Sequence, residues 1–164
     1  MFGEAVQAPA SAFKIARFGF LAPRAFSVSR CFSAWTAARR PYSRPVTADG
    51  AETVVAWKMA LENNTTPTAL LLSRQNIKDV PAKAGSTRYR DALQAEKGAY
   101  VALDCNGTPD VVLVASGSEV STLIGGAELL TAQKGLKVRV VSVISEGLFR
   151  QQTPEYQASV LPPA

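Results

Sequence analysis

The sequence predicts an α/β fold, a mostly parallel sheet with β-α-β units that follows a basic segment of different character. Residues 110–115 form a short apolar run with three valines and no interior charge, as expected of a strand covered on both faces. Residues 119–133 repeat apolar side chains at helical spacing, and residues 136–143 return to a valine-rich pattern. A strand, a helix and a strand in this order form a right-handed β-α-β unit by default.

Residues 1–44 carry most of the positive charge of the chain. They contain seven basic groups and one acid, a net +6, whereas residues 45–164 sum to −1. A near-neutral body offers no extended surface for phosphate neutralisation, which argues against nucleic-acid binding. The segment itself is open to three interpretations: an organelle transit peptide, a basic arm for phosphate or a membrane surface, or a leader without a selected role, either mistranslated or misassembled.

The composition excludes several kinds of chemistry. The 164 residues include no histidine, which removes the commonest metal ligand and the histidine-dependent nucleophile systems. Cys31 and Cys105 are too few for a disulfide framework or a zinc site. No apolar run approaches the roughly 20 residues of a membrane-spanning helix. Catalysis by this chain would rest on carboxylates, Lys, Tyr or Ser.

The first ordered element after Pro45 is predicted to be a helix. Asp49 can cap its first turn, and Glu52 stands at the capping-box position three residues later. Asn63-Asn64 ends the helical pattern. The face expected to pack against the core is the i, i+3, i+4, i+7 stripe, with the aliphatic stem of one lysine included: Val54, Trp57, Lys58 and Leu61.

Residues 68–73 read as a short strand covered on both faces, because the run lacks polar alternation. The polar sequence Ser73-Arg74-Gln75-Asn76 follows at its carboxyl end. Residues 77–96 then form a polar connector with Pro81 and Gly85, where a domain boundary fits best.

The second ordered block begins with a predicted strand at 97–103 and a turn at Asn106-Gly107. After the 110–115 strand, the helix is expected to end at Lys134-Gly135, a basic last turn with a glycine cap. A short helix at 146–151 and a proline-flanked tail close the chain. The helix from 119 is predicted to bury Val120, Leu123, Ile124, Ala127, Leu130 and also Leu129.

Three candidate sites are weaker than their structural alternatives. Ser116-Gly117-Ser118 could bind phosphate at a helix N-terminus, but Glu119 would repel an anion, so a tight capped turn is favoured. Cys105 has no neighbour that would stabilise a thiolate and is expected to be inert. Asp104, Asp110 and Glu119 match no calcium-loop spacing and are expected to be solvated.

Arg74 is the one residue whose position points to a ligand. In open α/β sheets, ligands bind beyond the carboxyl ends of the strands, and Arg74 follows such an end. A guanidinium offers a fork of donors that suits phosphate or carboxylate. The residue pattern alone leaves a structural salt bridge equally open.

Several motifs occur in an order that resembles transketolase, from the end of its pyrimidine-binding domain into its C-terminal domain. Related thiamine enzymes share the architecture, but the Leu-Ser-Arg-Gln-Asn run together with Gly-Ser-Glu favours transketolase. The resemblance covers about residues 45–164. It is carried by Ala48-Asp49-Gly50-Ala51-Glu52-Thr53, Leu72-Ser73-Arg74-Gln75-Asn76, Glu96-Lys97-Gly98-Ala99-Tyr100, Ser116-Gly117-Ser118-Glu119-Val120 and Glu146-Gly147-Leu148-Phe149.

The resemblance implies a function and a domain plan. The family reaction transfers a two-carbon ketol unit from a ketose phosphate to an aldose, with thiamine diphosphate and Mg²⁺, in a homodimer. The arginine of the family's Ser-Arg-Gln motif binds the substrate's phosphate, a role that falls on Arg74. The implied domains are 45–80, the end of the pyrimidine-binding domain, 81–96, a linker, and 97–164, a truncated C-terminal domain.

The sequence also departs from the family. The glutamate, aromatic residues, histidines and metal-binding Asp/Asn pair of the family lie upstream of what matches here, so we identify no catalytic, cofactor-binding or metal-binding residue. Residues 1–44 do not read as family sequence, and the match is ragged at Arg44-Pro45. We therefore expect the isolated chain to be inactive as a transketolase. The alternatives are a non-catalytic binding or subunit-assembly module and a basic-tail adaptor. Location in the cytoplasm is expected, or in an organelle if 1–44 directs import.

Overall fold

The computed structural model describes residues 44–74 and 76–163, and the predictions for residues 1–43 lie outside them. The predicted α/β class is confirmed by a small sheet flanked by helices. The elements are α1 (Gly50–Glu62), α2 (Arg88–Ala92) with a 3-10 helix (Leu93–Lys97), β1 (Ala99–Leu103), β2 (Val111–Ala115), α3 (Glu119–Lys134), β3 (Val138–Val143), α4 (Glu146–Arg150) and α5 (Pro154–Val160).

The sheet has the order β1-β3-β2 and is mixed rather than mostly parallel. β3 lies in the centre and pairs parallel with β2, from Val111 opposite Val138 to Ala115 opposite Ser142. β1 pairs antiparallel with β3, with Ala99 opposite Val143. A short apolar strand buried on both faces does not encode the direction of its neighbour, which is why the sequence missed this antiparallel pairing.

The predicted β-α-β unit is present as β2, α3 and β3. Of the predicted α3 core, four residues are buried and Leu130 packs at its edge, but the prediction for Leu129 is wrong because that side chain is 59% exposed. Gly135 ends the helix with φ +66°, as the glycine cap requires. The side chain of Ser118 makes no capping hydrogen bond, in contrast to the expected serine cap. The four buried residues are Val120, Leu123, Ile124 and Ala127.

Helix α1 begins where the sequence predicts, but it buries a different face. Its buried residues are Glu52, Val55 and Ala56. The predicted core stripe is wrong, because its three apolar members are exposed. Val55 and Ala56 pack into the apolar cluster under the helix, whereas the predicted stripe faces solvent in the described part of the chain. The exposed fractions are 54% for Val54, 52% for Trp57 and 80% for Leu61.

The strand predicted at residues 68–73 does not form. The described residues have isolated bridge positions there, at Thr68 and at Leu71, and Leu71 pairs parallel with Val46. Leu72, predicted to be covered, is 54% exposed. A strand buried on both faces needs continuous pairing with neighbours on both sides, and isolated bridges do not supply it.

The predicted polar connector contains α2 and the 3-10 helix, and it is attached to α1. Thr87 caps α2 by accepting a hydrogen bond from the backbone N–H of Arg90. Val80, Ala92 and Ala95 from this stretch are buried in the same apolar cluster as Val55. The residues that follow α1 therefore pack back onto it.

Alternate residues of the strands feed two apolar layers, one on each face of the sheet. Tyr100, Leu113 and Val140 join the layer under α1 and α3. Val112 and Val141 join the layer of the opposite face, which holds Phe149 and Val160. Among the described helices, none is long and apolar enough to span a membrane.

Candidate functional site

A buried cluster of polar groups joins α1 to the sheet. We call it the Glu52 hub, and it consists of Asp49, Glu52, Arg88, Tyr100 and Ser142. Glu52, Tyr100 and Ser142 are completely buried, and Asp49 is 5% exposed. Buried carboxylates are costly unless they are paired and hydrogen-bonded. The partners of these groups therefore decide what the cluster can do.

Glu52 lies at the centre of the hub and uses both carboxylate oxygens. Its Oε2 accepts a hydrogen bond from the backbone N–H of Ala48 at 2.7 Å. Its Oε1 accepts from the hydroxyl of Tyr100 at 2.7 Å and from that of Ser142 at 2.8 Å. One carboxylate thus connects the start of α1 with β1 and β3.

Asp49 holds the start of α1 and the connector together. Its Oδ1 accepts from the N–H of Glu52 at 2.9 Å, while its Oδ2 accepts from the N–H of Val80 at 3.0 Å and from Nε of Arg88. Burial opposes ionisation, but these hydrogen bonds outweigh it and hold the pKa of the Asp49 carboxyl below its usual value. Asp49 is therefore charged at neutral pH.

Arg88 completes the hub from α2. Its Nη2 donates to the Tyr100 hydroxyl at 2.8 Å and lies 3.4 Å from Oε1 of Glu52. Burial, and then the charge of Glu52, raise the pKa of Tyr100, so the phenol keeps its proton. Since the polar groups of the hub are engaged with one another, we interpret it as a structural connection rather than a reactive centre.

An open cleft of about 260 Å³ lies on the outer side of Asp49. Thr47, Gly50 and Thr53 line it from the α1 side, and Leu72, Ser73 and Ile77 line it from the other. The Thr53 hydroxyl bonds to the Asp49 carbonyl and to the Thr47 hydroxyl, at 2.8 and 3.0 Å. The cleft is lined by polar groups and by a small apolar surface.

Arg74 follows directly after the wall of this cleft. The residue is exposed, and its side chain forms no ion pair with the described residues. The strand that was expected to present Arg74 is reduced to isolated bridge positions at Thr68 and Leu71. Its role in binding phosphate stays a prediction.

The other sequence candidates lie apart from this cleft and have structural partners. Asp104 pairs with Arg139 at 2.8 and 3.2 Å, and Asp110 accepts from the N–H of Lys137 at 2.8 Å. Gly117 has φ +62°, and a Cβ there would lie 2.9 Å from Val46, so the turn needs glycine for packing. Within residues 44–74 and 76–163, no three Asp, Glu, Cys or His side chains form a group that could hold a metal.

Sequence reasoning found Asp49 and Glu52 only as helix caps. The capping bond from the N–H of Glu52 to Asp49 is confirmed, but the Glu52 carboxylate bonds to Ala48 rather than to the N–H of Asp49. Tyr100 and Ser142 lie 48 and 90 residues beyond Glu52 in the chain. No local sequence pattern predicts contacts between residues so far apart in the chain.

Comparison with known proteins places this arrangement in one family. A family described as "Transketolase-like TK C-terminal domain" matches residues 98–164. The chain is 43% identical over 116 residues to a transketolase from Aquifex aeolicus, and 47% identical over 116 residues to one from Halalkalibacterium halodurans. These alignments cover 71% and 70% of this chain but 16% of each relative. The chain thus spans about a sixth of the length of the curated relatives it matches.

Solved structures agree with the sequence matches. A transketolase from Leishmania mexicana superposes with a TM-score of 0.67 at 37% identity, covering 80% of this chain and 18% of that one. A Pichia stipitis transketolase complex with fructose 6-phosphate gives 0.65 at 38% identity, covering 79% and 18%. The order of strands and helices, the sequence matches and the structural matches together show that this chain belongs to the transketolase family.

Proposed function

We propose that this chain supplies the C-terminal domain and one substrate contact to a transketolase reaction. The reaction transfers a two-carbon ketol unit from a ketose phosphate to an aldose phosphate. The observation that carries the proposal is the position of Arg74, which is exposed beside an open cleft. Its guanidinium forms no ion pair with the described residues. Its donors are available for the phosphate group of a sugar phosphate.

The ligands of similar solved structures support this substrate class. Pichia stipitis transketolases were solved in complex with fructose 6-phosphate and with sedoheptulose 7-phosphate. Both ligands are sugars that end in a phosphate dianion. A single exposed arginine suits that shared group and does not distinguish one sugar from another.

Arg74→Ala is expected to weaken binding of fructose 6-phosphate by roughly ten- to a hundredfold. The estimate corresponds to the loss of a hydrogen bond between charged groups, about 1.5–3 kcal/mol. The affinity is measured by ³¹P NMR titration of the full chain. Arg150→Ala is the matched control, because Arg150 is also exposed but pairs with Glu146 in α4. Equal affinity in wild type and Arg74→Ala would remove the substrate role.

The described residues do not supply a cluster of ligands for the metal of the family. Thiamine diphosphate needs a metal to hold its diphosphate, and the described stretches contain no group of three or more Asp, Glu, Cys or His side chains that could bind one. The whole chain contains no histidine. We therefore propose that the residues that bind the cofactor, like the homodimer and a cytoplasmic location, belong to the complete enzyme.

The purified chain is expected to show no ketol transfer when thiamine diphosphate and Mg²⁺ are added. The physical reason is that the described residues contain no group of three or more Asp, Glu, Cys or His side chains that could hold the metal. A coupled assay with xylulose 5-phosphate and ribose 5-phosphate measures this, with an intact transketolase as the positive control. Turnover above the no-protein background would contradict the proposal.

A second candidate is a subunit-assembly module without catalytic duty. It is favoured by the apolar stripe of α1, where Val54, Trp57 and Leu61 are each more than half exposed. Exposed apolar stripes of this kind mark protein contacts. This alternative requires no phosphate affinity at Arg74, so the titration above separates the two.

A further inference from the structure

The segment that carries Arg74 is attached to the protein at both ends. We define the Arg74 segment as residues 72–74 and 76–79. Before it, the N–H of Leu71 donates to the carbonyl of Pro45 at 2.9 Å. After it, Val80 is 2% exposed and its N–H donates to Oδ2 of Asp49 at 3.0 Å. Between these points most of its residues are exposed.

The first attachment is itself held by the sheet. The N–H of Val46 donates to the carbonyl of Ile144 at 2.9 Å, immediately after β3. Val46 also packs against Gly117 in the turn before α3. The position where the Arg74 segment begins is therefore set by the C-terminal domain.

The second attachment depends on one carboxylate oxygen. Oδ2 of Asp49 accepts from Val80 and also from Arg88, whose side chain is 13% exposed. Arg88 is in turn fixed by the hydroxyl of Tyr100. A planar guanidinium that serves three acceptors in fixed directions cannot be replaced by the single ammonium of lysine without loss of this geometry.

We propose that Arg88 is a positioning residue for recognition of the sugar phosphate. By fixing Asp49, it fixes where the Arg74 segment returns to the protein, and hence how Arg74 approaches the cleft. This inference rests on the proposed function of Arg74. Arg88 lies behind Asp49 in the hub and acts through it, without touching the substrate.

The test compares Arg88→Lys with Arg139→Lys in the full chain by ³¹P NMR titration with fructose 6-phosphate. Arg139 is the matched control because its side chain is also 13% exposed and pairs with an aspartate, Asp104, at the other end of β3 from Ile144. Arg88→Lys is expected to weaken binding roughly threefold to tenfold, the usual range for residues that act through others. Arg139→Lys is expected to bind as wild type.

A measurement on wild type serves where a variant does not fold. Because coupling is reciprocal, fructose 6-phosphate is expected to slow hydrogen exchange at the N–H of Val80. Unchanged exchange at saturating fructose 6-phosphate would overturn the positioning role. Wild-type affinity in a folded Arg88→Lys variant would also overturn the positioning role. In that case the proposed function of Arg74 would still stand if Arg74→Ala lost binding. Absence of binding by wild type would remove both proposals.

Discussion

The Gly98→Ala variant is expected to lose at least about 3 kcal/mol of unfolding free energy. Gly98 lies between the 3-10 helix and β1 with φ +88°. A Cβ at this position would lie 2.3 Å from the backbone nitrogen of Phe149 and 2.4 Å from the carbonyl oxygen of Ser145. Both are main-chain atoms, one in α4 and one in its N-cap residue, so neither can move aside as a side chain would. Urea unfolding followed by circular dichroism measures the loss.

Gly125→Ala is the matched control for this prediction. Gly125 lies inside α3, and a Cβ there would meet nothing within 4 Å. Alanine is a better helix former than glycine, so this variant should gain about 0.5–1 kcal/mol. A Gly98→Ala protein with wild-type stability would mean that β1 and α4 are not as close as the structure has them.

Glu52→Ala is expected to cost about 3–5 kcal/mol, the usual loss when one member of a buried ion pair is removed. The change leaves the N–H of Ala48 without its acceptor and removes the acceptor shared by Tyr100 and Ser142. It also leaves Arg88 with one carboxylate instead of two. The free energy of unfolding in urea gives the loss directly.

Glu62→Ala controls for the removal of a glutamate from the same helix. Glu62 is exposed and lies 3.8 Å from Lys58, four residues earlier, so its loss should cost no more than about 0.5 kcal/mol. Similar losses in the two variants would show that Glu52 is not the centre of a buried network.

The strands and helices of the C-terminal half were predictable because their signals are local. The apolar run of β2, the helical period of α3 and the glycine at 135 each act within a few residues. Helix α5 was not predicted, although its start has a local signal as well. Thr153 caps the helix, and Pro154 occupies its first position. Local rules therefore identified elements whose type and ends are set by nearby residues, even where their packing partners are distant in the chain.

Local rules could not predict which face of α1 is buried, nor the contacts of the Glu52 hub. The helical period predicts a buried stripe of Val54, Trp57 and Leu61. In the structure, the buried residues are Val55 and Ala56, beside a buried glutamate. This packing is stabilised by groups from β1 and β3, which no window around α1 contains. For Arg74 the local signal was misleading. The residue was a candidate because it follows a predicted strand, and the described chain has only isolated bridge positions there.

Because Glu52 and Ser142 are 90 residues apart in the chain, their contact can form only at a late stage of synthesis. A ribosome synthesises the helix around Glu52 long before it reaches β3, and until then the carboxylate lacks its serine partner. The buried surroundings of Glu52 can therefore be completed only after residue 142 has been synthesised, so the contact that joins α1 to β3 cannot guide the first steps of folding.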